Sequence, residues 1–172
     1  ITDVHIEAVT RVWVLYFAAL IALVGWVVTA YISLYNSTKQ HTINILLQSR
    51  LSNTFQDYRA KVLAIYSEYP QLVAVPLSDI EKLRNRNLEP EKVVALESLK
   101  YLLNYYEFIA AGIRHGDLDA TLLKSCLRSI ICDICARGEH YIKYIRGEES
   151  DGSTKYPKYY EYLLALRDEW KD

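Results

Sequence analysis

The sequence predicts an all-α protein in which a single N-terminal transmembrane helix is followed by a roughly four-helix cytosolic bundle. Residues 12–34 contain no charged side chain. Hydrophobic residues make up 51% of the chain, whereas glycine occurs only 6 times and proline 4 times, a balance that suits packed helices. Beyond residue 40, apolar residues recur at every third or fourth position, and no stretch combines strand-like alternation with hairpin turns.

The first predicted element is the transmembrane helix VWVLYFAALIALVGWVVTAYISL. With a rise of about 1.5 Å per residue, it is long enough to cross a hydrocarbon core of about 30 Å. Trp13, Tyr16, Tyr31 and Tyr35 lie near its ends, where amphipathic rings favour the headgroup layer. A cleaved signal peptide is the alternative, but it would have a shorter apolar run after a basic start, whereas residues 1–11 are mildly acidic.

Basic residues and cysteines predict the side of the membrane on which the rest of the chain lies. Arg11 alone precedes the apolar run, whereas Lys39 and Arg50 follow it, and basic residues favour the cytoplasmic flank. The 3 cysteines lack the spacing of a disulfide scaffold, which suits reduced thiols. Both observations predict a cytoplasmic C-terminal domain.

One face of the predicted transmembrane helix carries small residues, which allow a second helix to approach closely. They follow each other at steps of four, three and four residues: Ala18, Ala22, Gly25 and Thr29. We interpret this face as a homo-oligomer interface. The alternative, that alanine and glycine are simply common in membrane helices, stays open.

The chain divides into an N-terminal flank with the transmembrane helix (1–35), an amphipathic connecting helix (36–69) and a helical bundle domain (70–172). Apolar residues recur at helical spacing from Ile43 onward, and Pro70 is expected to end the connecting helix. We expect this helix to couple the bundle to the membrane segment.

Helix-start and helix-stop residues mark the first elements of the bundle domain. Ser78 or Asp79 is expected to cap one or two helical turns. A long helix then follows, with Pro90 in its first turn and Gly116 at its C-terminal stop.

Two further helices complete the predicted bundle. The first begins at Asp117 or Asp119 and continues to Gly147. Pro157 is expected to open the last helix, whose apolar face closes the bundle.

Neither the charge balance nor the motifs indicate an enzyme. Lys plus Arg total 20 and Asp plus Glu total 21, so the net charge of −1 gives no basis for binding duplex nucleic acid. No nucleophile elbow, Walker loop, HExxH or dinucleotide-binding pattern occurs. We therefore expect no catalytic residues, no cofactor and no metal site.

Among the sequence motifs, a group of cysteines most resembles a metal-binding pattern. Cys132 and Cys135 form a CxxC pair, with Cys126 and His140 nearby. These residues lie in mid-helix, whereas zinc knuckles pair ligands across a turn and redox CxxC pairs lie at helix N-termini. We interpret the cysteines as core-packing residues.

Asn104 and Glu107 lie on one helix face inside the apolar stretch YLLNYYEFIAAGI. A buried carboxylate needs a partner, and Arg128, Arg137 and Arg146 on the following helix are candidates. The sequence predicts a polar network of Asn104, Glu107 and Arg146, which either stabilises the bundle or forms the wall of a polar pocket.

A second set of residues would suit a phosphate-bearing ligand if the bundle gathers them at one end beside tyrosines. The alternative is that these are scattered, solvated charges, because acidic residues accompany most of them. The candidate ligand-binding residues are Arg84, Arg86, Arg114, His115, Lys124 and Arg128.

Three segments, LNYYEFIAAGIRHGDLD, CARGEHYIKYIR and KYYEYLLALRDEW, resemble a bacterial domain family of unknown function. Its members are short proteins with an N-terminal membrane helix and a cytosolic helical domain. The resemblance implies a bacterial origin, hence the inner membrane, and it implies no activity. The residues that match the family pattern are Asn104, Glu107, Gly112, Gly116, Asp117, Arg146, Leu166 and Trp170.

Our first functional hypothesis is a non-enzymatic, oligomeric, membrane-anchored interaction module. The alternative is a membrane effector of antiviral defence, because the layout is similar to effectors of type III CRISPR systems. In that alternative, the cytosolic domain binds a cyclic oligonucleotide and perturbs the membrane. An enzyme held at the membrane has no motif to support it.

Overall fold

The structure is a computed structural model that describes residues 2–68, 71–72, 74–148 and 153–171. One antiparallel ladder pairs β1 (Ser67–Glu68) with β2 (Gln71–Leu72). Every other regular element is helical, which confirms the predicted all-α class. The helices are α1 (Thr2–Leu51), α2 (Asn53–Tyr66), α3 (Leu77–Arg84), α4 (Pro90–His115), α5 (Ala120–Arg137), α6 (Glu139–Arg146) and α7 (Glu161–Trp170).

The chain forms two compact units, Ile1–Gln40 and His41–Asp172, and the boundary between them lies within α1. Within α1, the segment Arg11–Ser49 is long and apolar enough to cross a membrane. Its most apolar 18-residue window has a mean hydropathy of 2.3, and none of that window is buried within the protein.

The second unit is a bundle centred on α4. This helix packs against α2, α5 and α7, and α7 also packs against α5. The short helices α3 and α6 pack against each other. The four main helices that enclose the core are α2, α4, α5 and α7, and α2 comes from the segment interpreted in the sequence as the connecting helix.

The predicted connecting helix is interrupted at Ser52, where α1 ends and α2 begins. Two backbone hydrogen bonds of helical spacing still connect α1 and α2 at Ser52. One runs from Ser52 N to Gln48 O at 2.9 Å and the other from Gln56 N to Ser52 O at 3.1 Å. In addition, Ser52 Oγ accepts a hydrogen bond from Phe55 N at 3.3 Å, the geometry of a helix N-cap. The serine therefore starts a new helix without a loop.

The segment after α2 differs from the prediction at two points. The helix ends at Tyr66, and Pro70 lies outside the described residues. At the start of α3, Pro76 occupies the N-cap position and no side chain caps the helix. The predicted cap by Ser78 or Asp79 is wrong, because Asp79 is buried and bonds elsewhere. Its carboxylate accepts from Tyr66 Oη at 3.4 Å and from Lys92 Nζ at 3.5 Å.

The limits of α4 and the start of α5 follow the predicted signals. Pro90 is in the first turn of α4, and Gly116 ends the helix in the left-handed region, at φ 80°. Asp119, and not Asp117, caps α5 through a bond from Leu122 N to its Oδ1 at 2.9 Å. The backbone N–H of Asp119 also donates to Thr42 Oγ1 at 2.9 Å.

The single helix predicted to continue to Gly147 is two helices, α5 and α6, which meet at Gly138. This residue has φ −87° and ψ 4°, outside the helical range. A Cβ atom there would lie 3.1 Å from a Leu103 methyl carbon of α4 and 3.2 Å from Ile134 O. The missing side chain therefore lets the chain turn while it lies close to α4.

One apolar face of α4 belongs to the core. Leu99, Leu103 and Ile109 are completely buried, and Leu96 and Tyr106 are nearly so. From α7, Leu163 and Trp170 complete the same core, with exposed fractions of 0% and 1%.

Candidate functional site

Three polar side chains from α4 and α6 hold the segment that leads into α7. They are the predicted network residues Asn104, Glu107 and Arg146, and we call them the α7 anchor. Arg146 donates from Nη1 to the carbonyl oxygens of Pro157 and Tyr159, both at 2.8 Å. Its Nε donates to Glu148 at 2.9 Å.

Glu107 binds the first turn of α7. Its two carboxylate oxygens accept from Leu163 N at 2.7 Å and from Tyr162 N at 3.3 Å. These N–H groups lack partners within the helix, so the carboxylate of Glu107 replaces a local N-cap. The prediction that Pro157 opens the last helix is wrong. Arg146 and Glu107 bind backbone groups that a helix starting at Pro157 would need for its own hydrogen bonds. The helix α7 therefore begins at Glu161.

Tyr160 is the third contact of the anchor. It adopts a left-handed conformation at φ 55°, which costs a non-glycine residue about 1–2 kcal/mol. Its side chain is only 6% exposed, and its hydroxyl donates to Asn104 Oδ1 at 3.0 Å. Burial raises the pKa of Tyr160, so the hydroxyl stays a neutral donor. Burial and this bond together offset the backbone strain.

The arginines considered as partners of Glu107 have other roles. Arg128 donates from Nε to Trp170 O at 2.6 Å, and Arg137 donates from Nη1 to Tyr66 O at 2.7 Å. Arg146 acts on Glu107 only through its charge. The hydrogen bonds of the carboxylate therefore come from the backbone of α7.

Burial raises the pKa of Glu107. The backbone N–H groups of Leu163 and Tyr162 and the charge of Arg146 partly offset this rise, whereas Glu161 adds to it. The carboxylate therefore binds a proton more readily in the folded chain than in the unfolded chain.

We expect the stability of the wild type relative to Glu107→Gln to rise as the pH falls from 7 toward about 4.3, the ordinary glutamate pKa. A raised folded-state pKa contributes stability that is present below the unfolded pKa and is lost as the pH rises through the folded pKa. Urea unfolding of both proteins across this range measures the difference. If the stability of the wild type relative to Glu107→Gln decreased as the pH fell, a raised pKa of Glu107 would be contradicted.

Two of the candidate ligand-binding residues lie together on α5. Lys124 and Arg128 line an open groove of about 690 Å³ between α5 and α7, which we call the α5–α7 groove. Ser125 and Ser129 lie beside them, and Trp170 forms part of the opposite wall. The lining of this groove therefore includes two cations, three hydroxyl groups, with Thr121 as the third, and the carboxylate of Glu169.

The other candidate ligand-binding residues lie elsewhere. Arg114 lines a neighbouring groove of about 360 Å³ between α4 and α7, and the ring of His115 contacts that of Tyr162 at 5.8 Å. Arg84 and Arg86 are exposed at the end of α3, the helix that packs on α6. The described structure therefore gathers part of the predicted set and not all of it.

A separate cavity of about 70 Å³ lies between α2, α4 and α5. Its walls are mainly apolar and include Phe55, Val62 and Tyr106. Polar side chains at its edge come from α2 and α5: Arg59, Asp133 and Arg137. We call this space the α2–α4–α5 cavity.

Comparison with known proteins identifies the family. Residues 16–170 match a domain of unknown function, DUF4760. The chain belongs to this family. The match extends over both compact units of the DUF4760 protein, so it includes residues 16–34 of the apolar run in α1 as well as the bundle. No curated protein and no solved structure matches the chain.

The predicted small-residue face of the DUF4760 protein lies on α1. Side chains of residues 11–29 are exposed throughout, including Ala18 and Ala22. A Cβ atom added to Gly25 would meet nothing within 4 Å. Thr29 Oγ1 donates to Gly25 O at 2.8 Å, so its hydroxyl is satisfied within the helix.

The cysteines of the DUF4760 protein differ in burial. Cys135 is completely buried, which agrees with the predicted packing role, and burial raises its pKa to about 12. Cys126 and Cys132 are partly exposed. A thiol with a raised pKa is a poor nucleophile at neutral pH.

Sequence reasoning missed the polar edge of the α2–α4–α5 cavity. Asp133 and Arg137 are four residues apart and therefore share a face of α5, which is a local signal. Arg59 lies on α2, and only the folded chain shows that it faces the same cavity.

Proposed function

We propose that this DUF4760 protein is a single-pass, membrane-anchored helical module that self-associates and has no catalytic activity. In this proposal, the bundle lies on the cytoplasmic side of a bacterial inner membrane. The uncovered apolar segment of α1 is the observation that carries the proposal. Between Val12 and Tyr35 its large apolar side chains are exposed by 50% to 73%. A continuous apolar surface of this extent requires lipid or another protein to cover it.

The small-residue face supports self-association through the same helix. Gly25 has open space around it, so a second helix can approach its backbone. Because the hydroxyl of Thr29 already bonds within α1, close packing rather than a polar contact between helices would stabilise the pair.

Two neighbouring alanines provide a matched test. Ala18 lies on the proposed interface, whereas Ala19 lies about 100° away around the helix. We expect Ala18→Leu to weaken self-association about tenfold, because the larger side chain separates the helices, and Ala19→Leu to change it little. Energy transfer between labelled full chains in liposomes, at a series of protein-to-lipid ratios, measures the association.

Both variants add the same apolar volume, so insertion and labelling are matched. Equal association of Ala18→Leu, Ala19→Leu and wild type would refute this interface. If energy transfer between wild-type chains falls with dilution in lipid as it would for randomly distributed monomers, self-association itself would be refuted.

The α5–α7 groove favours a second candidate function, the ligand-gated effector of antiviral defence. Its volume of about 690 Å³ is in the range of small-molecule sites. Lys124 and Arg128 suit the phosphate groups of such a ligand. In this candidate, a cyclic oligonucleotide binds the groove and favours one arrangement of associated chains.

Thermal unfolding of the full chain with cyclic di-, tri- and tetra-adenylates tests this candidate. A ligand that binds only the folded protein raises the melting temperature. We expect Lys124→Glu to abolish the rise and Lys100→Glu, an exposed lysine on α4, to keep it. No rise with any of these ligands would count against gating by this class.

A further inference from the structure

The α2–α4–α5 cavity has an unusual arrangement of charge at its edge. Arg137 is only 9% exposed, yet the hydrogen bond that the structure gives it is a single one, from Nη1 to Tyr66 O at 2.7 Å. Among the described residues, no carboxylate forms an ion pair with it. No completely buried side-chain nitrogen among the described residues lacks a hydrogen-bond partner, so the nitrogens of Arg137 that make no hydrogen bond are accessible to solvent, and to an anion.

The nearby charged groups leave this cavity positive. Asp133 stabilises the charged form of Arg137, whereas Arg59 opposes it. Burial also lowers the pKa of Arg137. Two guanidinium groups and one carboxylate thus line the same cavity, which leaves one positive charge in excess.

The remaining walls are mainly apolar and largely buried. Phe55, Val62, Leu102 and Ile134 are each buried, with exposed fractions of 8%, 2%, 3% and 7%. A volume of about 70 Å³ accommodates roughly five to seven non-hydrogen atoms, since one water-sized group needs about 10–15 Å³ by the same measure. The cavity is therefore small, apolar inside and cationic at its edge.

We propose that the α2–α4–α5 cavity is a binding site for a short-chain carboxylate, an anion with a tail of about three carbons. The carboxylate would bind Arg59 and Arg137, and the tail would lie against Phe55 and Val62. Charge-assisted bonds from guanidinium to carboxylate are among the stronger hydrogen bonds in proteins. The site is independent of the membrane function proposed above.

Butyrate is the probe, with butylammonium and inorganic phosphate as comparison ligands. Ligand-observed NMR titrations of the full chain in lipid nanodiscs measure the affinities. We expect saturable binding of butyrate, none of butylammonium because of the positive edge, and at least tenfold weaker binding of phosphate because it has no apolar tail.

Two variants locate the site without removing the bond between Arg137 and Tyr66. Arg59→Gln changes an exposed residue whose side chain makes no hydrogen bond with any other described residue, and we expect it to weaken butyrate binding about tenfold. Leu63→Phe fills the cavity from α2, and we expect it to abolish binding. Lys82→Gln removes an exposed cation of α3 as a control and is expected to leave butyrate binding unchanged.

Three outcomes would overturn the proposal. They are no saturable binding of butyrate to the wild type, butyrate binding that survives both Arg59→Gln and Leu63→Phe, and phosphate binding as tight as that of butyrate. Circular dichroism of each variant confirms that a loss of binding does not come from unfolding.

Discussion

Replacement of Trp170 by alanine is expected to destabilise the bundle by about 3–5 kcal/mol, the range for truncating a buried aromatic residue. Trp170 is 1% exposed and completes the core on α7. Its carbonyl oxygen also accepts from Arg128 Nε at 2.6 Å, so movement of this turn disturbs a charge-assisted bond as well.

Thermal unfolding followed by circular dichroism measures this effect. We expect the melting temperature of the bundle to fall by roughly 10–20 °C. Phe108→Ala is the control, because this side chain is 64% exposed and its truncation removes little buried surface. Equal melting temperatures for Trp170→Ala and Phe108→Ala would contradict the position assigned to α7.

Replacement of Leu23 by arginine is expected to impair membrane insertion by about 3 kcal/mol, or roughly a hundredfold in the insertion equilibrium. Leu23 lies at the centre of the uncharged run 12–34 and is 63% exposed, so in the proposed topology it faces lipid. A charge at this depth has no water to bind and no partner on α1.

Leu34→Arg provides the matched control, because the same change at the end of the run lets the guanidinium reach the headgroups. Alkaline extraction of membranes separates inserted from peripheral protein. We expect Leu23→Arg to appear in the soluble fraction and Leu34→Arg to stay in the membrane. Complete retention of both would argue against a spanning helix at residues 12–34.

Elements with local signals were predictable from the sequence. Pro90 and Gly116 act within one helical turn, so they placed the two ends of α4, and the alternative caps Asp117 and Asp119 placed the start of α5 to within two residues. The uncharged run in α1 was equally clear, since length and composition define it.

Elements set by distant contacts were not predictable. The start of α7 depends on Glu107 and Arg146, which occupy backbone groups more than ten residues away in the chain. The turn at Gly138 depends on the closeness of Leu103 in α4. A local pattern contains no information on such pairs.

The candidate sites follow the same division. Glu107 was identifiable from the sequence because it is a carboxylate in an apolar stretch, and a buried charge needs partners. Its actual partners, backbone N–H groups of α7, were not identifiable. The six candidate ligand-binding residues were grouped by charge alone, and the structure brings only Lys124 and Arg128 into one groove.

The most direct test of the membrane module is a cysteine scan of α1 from residue 16 to residue 31 in native membranes. The native thiols are first replaced, as Cys126→Ser, Cys132→Ser and Cys135→Ala. Self-association through the small-residue face predicts that disulfide crosslinking peaks at positions 18, 22, 25 and 29, and that it is weak at 20, 23 and 27 on the opposite side. Uniform crosslinking along the helix, or monomer at every position, would contradict it.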